Sequence, residues 1–332
     1  MPDEHIDVIA TTISGSIQDW GKVKRIVPLF HEHGMTDINL HEVDTHRQAR
    51  DEACTAIQQG GRTVISAGGS GTFNSVLEGC CDSGVPLGEI RLGFLRKGSA
   101  DLIGKVLGMP DDIESAVRVF VTAIREDRTV PCDVILASSK GEGDAPRHFV
   151  GYGGAEIFGR IPHFTENRFI KYYKGILSQV FGDLGPFTTG MTLALLERFL
   201  KAAWTRRREW SITVDGAQLA QEAYQALIVV NGYLGPELPF SSAPLGSGSF
   251  YLFALRDLGM RKLPAQARHT RDASILQEPE RWGMESYAAA HSMLLEPDTR
   301  SPFPANIDGS TMRCAGGLEL RIIDAIRLLS QD

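Results

Sequence analysis

The sequence predicts an α/β protein whose N-terminal part is a parallel, helix-covered sheet and whose C-terminal part is mostly antiparallel and β-rich. Three observations carry this prediction. Short apolar runs alternate with amphipathic helical patterns through residues 1–131. After residue 132 the apolar runs follow one another, with turns and few helices between them. A glycine turn, GGSGT at residues 68–72, joins a buried type of strand to a helical pattern.

The N-terminal elements alternate between strand and helix. Apolar or β-branched runs predict strands at residues 6–10, 38–43, 63–67 and 90–95. Apolar residues at helical spacing predict helices at residues 20–33, 46–59, 73–81 and 112–125. Because parallel strands need a crossover connection between them, this order favours a parallel sheet.

The C-terminal part has a different pattern, in which predicted strands follow one another with few helices between them. Apolar runs predict strands at residues 133–138, 147–154, 210–215, 225–233, 249–257 and 318–329. A helical insert is predicted near residues 166–208. We expect a first domain over residues 1–131, rejoined by residues 316–332, and a second domain over residues 132–315.

Composition limits the classes of function. The 332 residues are 42% hydrophobic and 23% charged, with a net charge of −7. An acidic chain of this kind is not expected to bind nucleic acid. The five cysteines show no CxxC spacing, which favours a reducing compartment. We see neither a signal peptide nor an apolar run long enough to span a membrane. We therefore expect a cytoplasmic protein, able to contact the inner face of the membrane peripherally.

The glycine turn allows two chemistries. GGSGT approaches the G-x-S-x-G elbow of serine hydrolases, with Ser70 as nucleophile and Thr72 in place of the second glycine. The other interpretation is a phosphate cradle, because glycines let the backbone approach a ligand and the helix start presents free N–H groups. The turn matches neither the dinucleotide-binding fingerprint nor the Walker loop. A tight turn without a ligand is the third alternative.

Two later segments repeat the pattern of a polar turn. LGFLRKGSADL at residues 92–102 again leads from strand to glycine turn to helix, and Asp308-Gly309-Ser310 forms a third turn. With the turn at 68–72 and Asn74 after it, these segments resemble, in order, the motifs GGDGT, N-E-V, L-G-x-x-P-x-G-T-x-N-D and D-G-E of the diacylglycerol kinase catalytic family. That family includes sphingosine and ceramide kinases and shares the NAD-kinase-like fold.

The resemblance implies an ATP-dependent lipid kinase that uses Mg²⁺. Carried over by position, the nucleotide-binding residues would be Ser14, Gly15, Thr45, Gly68, Gly69, Ser70, Gly71, Thr72, Asn74, Gly98 and Ser99. The catalytic residues would be Asp101, Asp308 and Ser310, with Asp101 and Asp308 as metal ligands. Simpler roles stay open: Thr45 and Asp101 as helix caps, and Asp308 as a turn former.

The departures from the family pattern concern acidic residues. Ser70, Ser75 and Ser310 stand where the family has acidic side chains, and Gly246-Ser247-Gly248 stands in place of its D-D-G. The segment Gly98-Ser99-Ala100-Asp101 is similar to the G-S-T-D of ceramide kinases. We expect transfer of the ATP γ-phosphate to a hydroxyl of ceramide, a sphingoid base or diacylglycerol, with transient contact to a membrane surface. A catalytically impaired homologue that senses nucleotide or lipid is the alternative, and a hydrolase using Ser70 is the third. No oligomeric state is predicted.

Overall fold

A computed structural model describes residues 4–11, 20–96, 102–166, 193–194, 208–236, 238–271 and 273–331. The chain divides into two compact units, Met1–Val134 with Ile323–Asp332, and Ile135–Ile322. Within the described residues, no helix has the length and apolar character that crossing a bilayer requires.

The first unit contains a parallel sheet. Its elements are β1 Ile6–Thr11, α1 Trp20–Glu32, β2 Ile38–Val43, α2 His46–Gln58, β3 Thr63–Gly68, α3 Ser70–Asp82, β4 Arg91–Arg96, α4 Leu102–Val106 and α5 Ile113–Glu126. The strand order is β2-β1-β3-β4, and the end of strand β15 (Leu318–Leu329) pairs in parallel with β4. Strands β1 and β3 are buried throughout, as strands covered on both faces should be.

The helices of this unit pack in two pairs, α1 with α5 and α2 with α3. The crossover from β1 to β2 runs in one direction along the sheet. The crossovers from β2 to β3 and from β3 to β4 run in the opposite direction. Right-handed crossovers therefore place α1 on the face opposite α2 and α3. The strand order reverses between β1 and β3, and in open α/β sheets ligands bind beyond the carboxyl ends of the strands at such a point. The glycine turn follows β3 at this position.

The second unit is antiparallel. The elements after α5 are β5 Thr129–Ser139, β6 Arg147–Phe149, β7 Tyr152–Glu156, α6 Ile157–Glu166, β8 Glu209–Val214, β9 Ala217–Val230, β10 Phe250–Arg256, α7 Leu263–Arg271, α8 Pro279–Trp282, β11 Met284–Ala289, β12 Ser292–Pro297, β13 Phe303–Ile307, β14 Ser310–Cys314 and β15. Strand β9 is shared: it pairs with β8, β7 and β10, all antiparallel.

The core of the second unit is aromatic and aliphatic. Trp210 and Phe303 are buried and meet edge to face, with ring centroids 4.9 Å apart. Both belong to one large cluster of buried side chains that spans β5 to β15. This cluster gives the unit a core of its own.

The predicted fold class is confirmed, and the structure adds detail that periodicity did not reveal. Helix α3 begins at Ser70, so the glycine turn itself forms its first turn. The single strand predicted at 147–154 is divided into β6 and β7 around Val150 and Gly151. Helix α6 and strands β11 to β14 were not predicted. Of the predicted insert near 166–208, all but residues 166, 193–194 and 208 lie outside the described residues.

Candidate functional site

The glycine turn at residues 68–72 has the backbone of an anion site. Gly69 is the N-cap of α3 with an extended backbone, and no side chain caps the helix. The amides of Thr72 and Phe73 donate to the carbonyl of Gly69, both at 3.0 Å. The amides of Ser70 and Gly71 come before these first helical bonds and are available to a ligand. The turn can therefore bind an anion at the positive end of the helix.

Thr72 has an internal role in this turn. Its side chain is buried, and its hydroxyl is hydrogen-bonded to the hydroxyl of Thr11 at the end of β1, 2.7 Å away. A Cβ at Gly68 would lie 2.5 Å from Oγ1 of Thr72, so glycine is needed there for packing. The pair holds the turn against β1. A contact between Thr72 and nucleotide stays a prediction.

Ser70, Asn74 and Ser75 occupy the start of α3. Ser70 is exposed and Asn74 is partly buried. The hydroxyl of Ser75 donates to the carbonyl of Gly71 at 2.8 Å, which satisfies it within the helix. The two serines of α3 that stand where the resembled family has acids are thus an exposed hydroxyl and one bonded within its own helix, and neither is a strong base.

Thr45 caps helix α2. Its Oγ1 accepts from the amide of Gln48 at 3.1 Å, and Oε1 of Gln48 accepts from the amide of Thr45 at 3.1 Å, which makes a complete capping box. Thr45 therefore has the simpler role expected for it, that of a helix cap. A contact between Thr45 and nucleotide stays a prediction.

His46, the first residue of α2, lies against the glycine turn. A Cβ built on Gly71 would be 3.0 Å from Cε1 and 3.1 Å from Nε2 of His46. His46 is exposed as a residue, but its contact with the turn partly desolvates the ring, and this desolvation lowers the pKa of His46 and favours a neutral ring at pH 7. No pattern in the sequence marks His46, because a polar residue at a helix start gives no periodic signal.

Asp308 organises a turn in the second unit. Its carboxylate accepts from the amides of Val150 at 3.1 Å, Gly151 at 3.2 Å and Tyr152 at 2.7 Å. Burial raises the pKa of Asp308 to about 6, while the three amide donors act in the opposite direction. Asp308 and Gly309 both have positive φ and form the two-residue hairpin between β13 and β14.

Asn231 also binds this backbone segment. The side-chain amide of Asn231 donates to the carbonyl of Val150 at 2.8 Å, and its backbone amide donates to Gly151 at 2.9 Å. Asn231 and Asp308 thus both bind the backbone of residues 150–152. These contacts are structural, and the catalytic and metal-binding roles of Asp308 stay predictions. Ser310, partly buried, begins β14.

A cavity of ≈ 540 Å³ adjoins the carboxyl ends of β3 and β4, with Gly68 and Arg96 in its lining. Arg96 is buried, donates to the carbonyl of Met109 at 2.9 Å and pairs with Asp111 at 3.0 Å. The cavity is within the usual size range of ligand pockets. It therefore extends the candidate site from the glycine turn along the sheet edge.

Five predicted site residues lie outside the described residues: Ser14, Gly15, Gly98, Ser99 and Asp101. The described residues bring together the turn at 68–72, Thr11 and His46 in the first unit. In the second unit they bring together Asp308, Asn231 and residues 150–152.

The first unit is an α/β domain in which a glycine turn leads from a parallel strand into a helix without a side-chain cap. Residues 5–136 match the family model of the diacylglycerol kinase catalytic domain.

Two curated relatives are each described as a probable lipid kinase, YegS-like. The protein from Cronobacter sakazakii (strain ATCC BAA-894) is 38% identical over 88 residues, which are 26% of this chain and 27% of the relative. The protein from Klebsiella pneumoniae (strain 342) is 32% identical over 85 residues, or 26% of each chain. The chain thus matches about a quarter of the length of these relatives.

Solved structures extend the likeness in fold to the whole chain. The crystal structure of a "putative diacylglycerol kinase" from Bacillus anthracis str. Sterne aligns with a TM-score of 0.67 at 17% identity, covering 98% of this chain and 95% of that one. A second diacylglycerol kinase structure from the same organism aligns with a TM-score of 0.63 at 14% identity, covering 99% and 97%. At this identity the likeness establishes the fold.

Proposed function

We propose that the protein is an ATP-dependent lipid kinase that transfers the γ-phosphate to a hydroxyl of a lipid. The observation that carries the proposal is the glycine turn, which presents the amides of Ser70 and Gly71 at the switch point of a parallel sheet. The family match over residues 5–136 and the lipid-kinase relatives support both the reaction and the lipid acceptor.

The described residues fit a polyphosphate. Gly69 exposes the backbone, Ser70 adds an exposed hydroxyl, and Gly71 has no side chain to obstruct a ligand. Bound ATP supplies the phosphoryl group for transfer. The turn holds the phosphates and orients them, and phosphoryl transfer depends mainly on such positioning and on stabilisation of charge.

A magnesium site has less support. Across the part of the chain that the structure describes, no three His, Cys, Asp or Glu side chains form a group that could hold a metal ion. Asp101 lies outside that part, and the carboxylate of Asp308 already accepts three amide bonds. Mg²⁺ remains an expected cofactor of the proposed kinase.

The replaced acids should make the enzyme slow. A general base contributes about 10²–10⁴-fold to a rate. Ser70 and Ser75 cannot provide one in their described states, because one is a free hydroxyl and the other is bonded to Gly71. Ceramide, a sphingoid base and diacylglycerol are the acceptors we propose. The preference for ceramide is based on the similarity of residues 98–101, 149–160 and 172–175 to ceramide kinases.

The test is transfer of label from [γ-³²P]ATP, with Mg²⁺, to vesicles containing ceramide, sphingosine or diacylglycerol. Label in one of these lipids supports the kinase. Gly71→Asp should abolish it, since the carboxylate repels phosphate and a Cβ there lies 3.0 Å from the His46 ring. Gly88→Ala, where the nearest atom to a new Cβ is 3.9 Å away, is the matched control and should keep full activity.

Sedimentation with the same vesicles tests the proposed transient membrane contact of a cytoplasmic protein.

The second candidate is a homologue that binds nucleotide or lipid without transfer. It is favoured by Ser75, which replaces a family acid and is satisfied within its own helix. Binding of ATP without label in any lipid supports this function over the kinase. Ester hydrolysis that Ser70→Ala abolishes would instead support the serine hydrolase.

A further inference from the structure

The structure places the ring of His46 where it forms one wall of the glycine turn. Helices α2 and α3 pack side by side, and both begin at the carboxyl edge of the sheet. Gly71 in the first turn of α3 faces the ring so closely that its missing Cβ would be 3.0 Å from Cε1. Contacts of this length are tighter than ordinary packing, so the ring fills the space that a side chain at position 71 would need.

The ring of His46 is also available for a ligand. The residue is exposed in spite of its contact with Gly71, and within the described residues its ring nitrogens have no hydrogen-bond partner. Its neighbour Thr45 differs, because the hydroxyl of Thr45 accepts from the amide of Gln48. Between the two residues, His46 is the one with an unused polar side chain beside the turn.

We propose that His46 is a positioning residue for the nucleotide, with one ring nitrogen donating a hydrogen bond to a phosphate oxygen held at Ser70 and Gly71. This inference rests on the proposed function, since it assigns a further contact to the same nucleotide. A neutral imidazole carries one N–H donor and a protonated one carries two, so the ring can donate in either state.

The test is equilibrium binding of radiolabelled ATP to the full chain, with His46→Ala, His46→Gln and the control His31→Ala on the exposed surface of α1. Loss of one hydrogen bond to a charged group should weaken ATP binding about tenfold in His46→Ala. His46→Gln keeps an N–H donor and should recover most of the affinity. His31→Ala should bind as the unaltered chain does.

Inorganic tripolyphosphate, used as a competitor, shows which part of the nucleotide the ring contacts. His46→Ala should weaken tripolyphosphate and ATP by the same factor. Weaker binding of ATP alone would show that the ring contacts the nucleoside. Unchanged binding of ATP and tripolyphosphate would show that the ring contacts neither ligand. Either result would overturn the proposal. Failure of the unaltered chain to bind ATP would instead refute the proposed function, so the two failures are distinguishable.

A double-mutant cycle separates a contact with phosphate from a role in folding. Gly71→Ala brings a methyl group against the ring of His46. Part of the loss of ATP affinity in Gly71→Ala should therefore be caused by displacement of that ring. The loss in the double variant Gly71→Ala/His46→Ala should be smaller than the sum of the single losses. Thermal melting of His46→Ala should match that of His31→Ala. A large drop in melting temperature together with additive losses would contradict the proposed contact.

Discussion

The buried carboxylate of Asp7 on β1 lies 2.9 Å from Nε2 of His41 on the neighbouring strand β2. The other ring nitrogen of His41 lies 3.2 Å from a carboxylate oxygen of Glu52 on α2. The hydrogen bond to Asp7 is the largest cause that raises the pKa of His41, and burial of the ring opposes it. The imidazole between two carboxylates therefore favours its protonated form.

This arrangement predicts that stability depends on pH. A histidine whose pKa is higher in the folded state adds stability below its unfolded pKa of 6.5, and this stability is lost as pH rises through the folded value. The free energy of unfolding should therefore fall as the pH rises above 6.5 and through the raised pKa of His41. His41→Asn should make the fall smaller. Urea unfolding at several pH values, followed by circular dichroism, measures both.

His31→Asn on α1 provides the control for this experiment, because its ring is exposed and lies on another element. It should leave the pH dependence as it is. An equally steep fall in His41→Asn would show that the Asp7–His41 contact does not carry the effect.

The hydroxyl pair of Thr11 and Thr72 should stabilise the glycine turn. Thr72→Val keeps the shape but leaves the buried hydroxyl of Thr11 without its partner, which should cost about 1–3 kcal/mol in the free energy of unfolding. The double variant Thr11→Val/Thr72→Val removes both hydroxyls and should be more stable than Thr72→Val. Urea unfolding of the three proteins measures this, and a double variant that is less stable than Thr72→Val would contradict the pair.

Asp308 should titrate near pH 6 in the folded protein. Burial raises its pKa from 3.8 to about 6, so ionisation of the carboxyl group costs stability as pH rises across that range. In ¹³C NMR of protein labelled at the aspartate carboxyl carbons, one resonance should show this raised pKa and vanish in Asp308→Asn. The variant should also lose about 2 kcal/mol or more of unfolding free energy, because an amide nitrogen would face the backbone donors. A normal pKa for every aspartate would contradict the buried turn.

The sequence predicted the parallel part of the fold well because its strands are short, apolar and separated by amphipathic helices. The antiparallel part was harder. β13 contains Pro304 and β7 contains two glycines, which weaken the alternating pattern of a strand. The division of β6 from β7 depends on Asp308, more than 150 residues away in the chain, and no local pattern contains that contact.

The candidate site was predictable only where a motif marked it. GGSGT gave the turn, but the partners of Thr72 and Gly71 are set by packing between β1, α2 and α3. Thr11 and His46 come from different elements, and the sequence spacing does not reveal that they meet the turn. The local roles of Thr45 and Asp308 could be stated as alternatives, because capping and turn formation depend on neighbours in the sequence.

The last prediction concerns the contact that holds α3, and with it the glycine turn, against α2. A Cβ at Gly79 would lie 2.2 Å from the carbonyl oxygen of Arg50 and 2.7 Å from Cβ of Ala53, both in α2. Gly79→Ala should therefore destabilise by about 1–3 kcal/mol through overpacking, although alanine is the better helix former by about 1 kcal/mol. Gly88→Ala, which meets no atom closer than 3.9 Å, should leave stability nearly unchanged. Urea unfolding compares them, and a Gly79→Ala protein as stable as the unaltered chain would show that the two helices pack less closely than described.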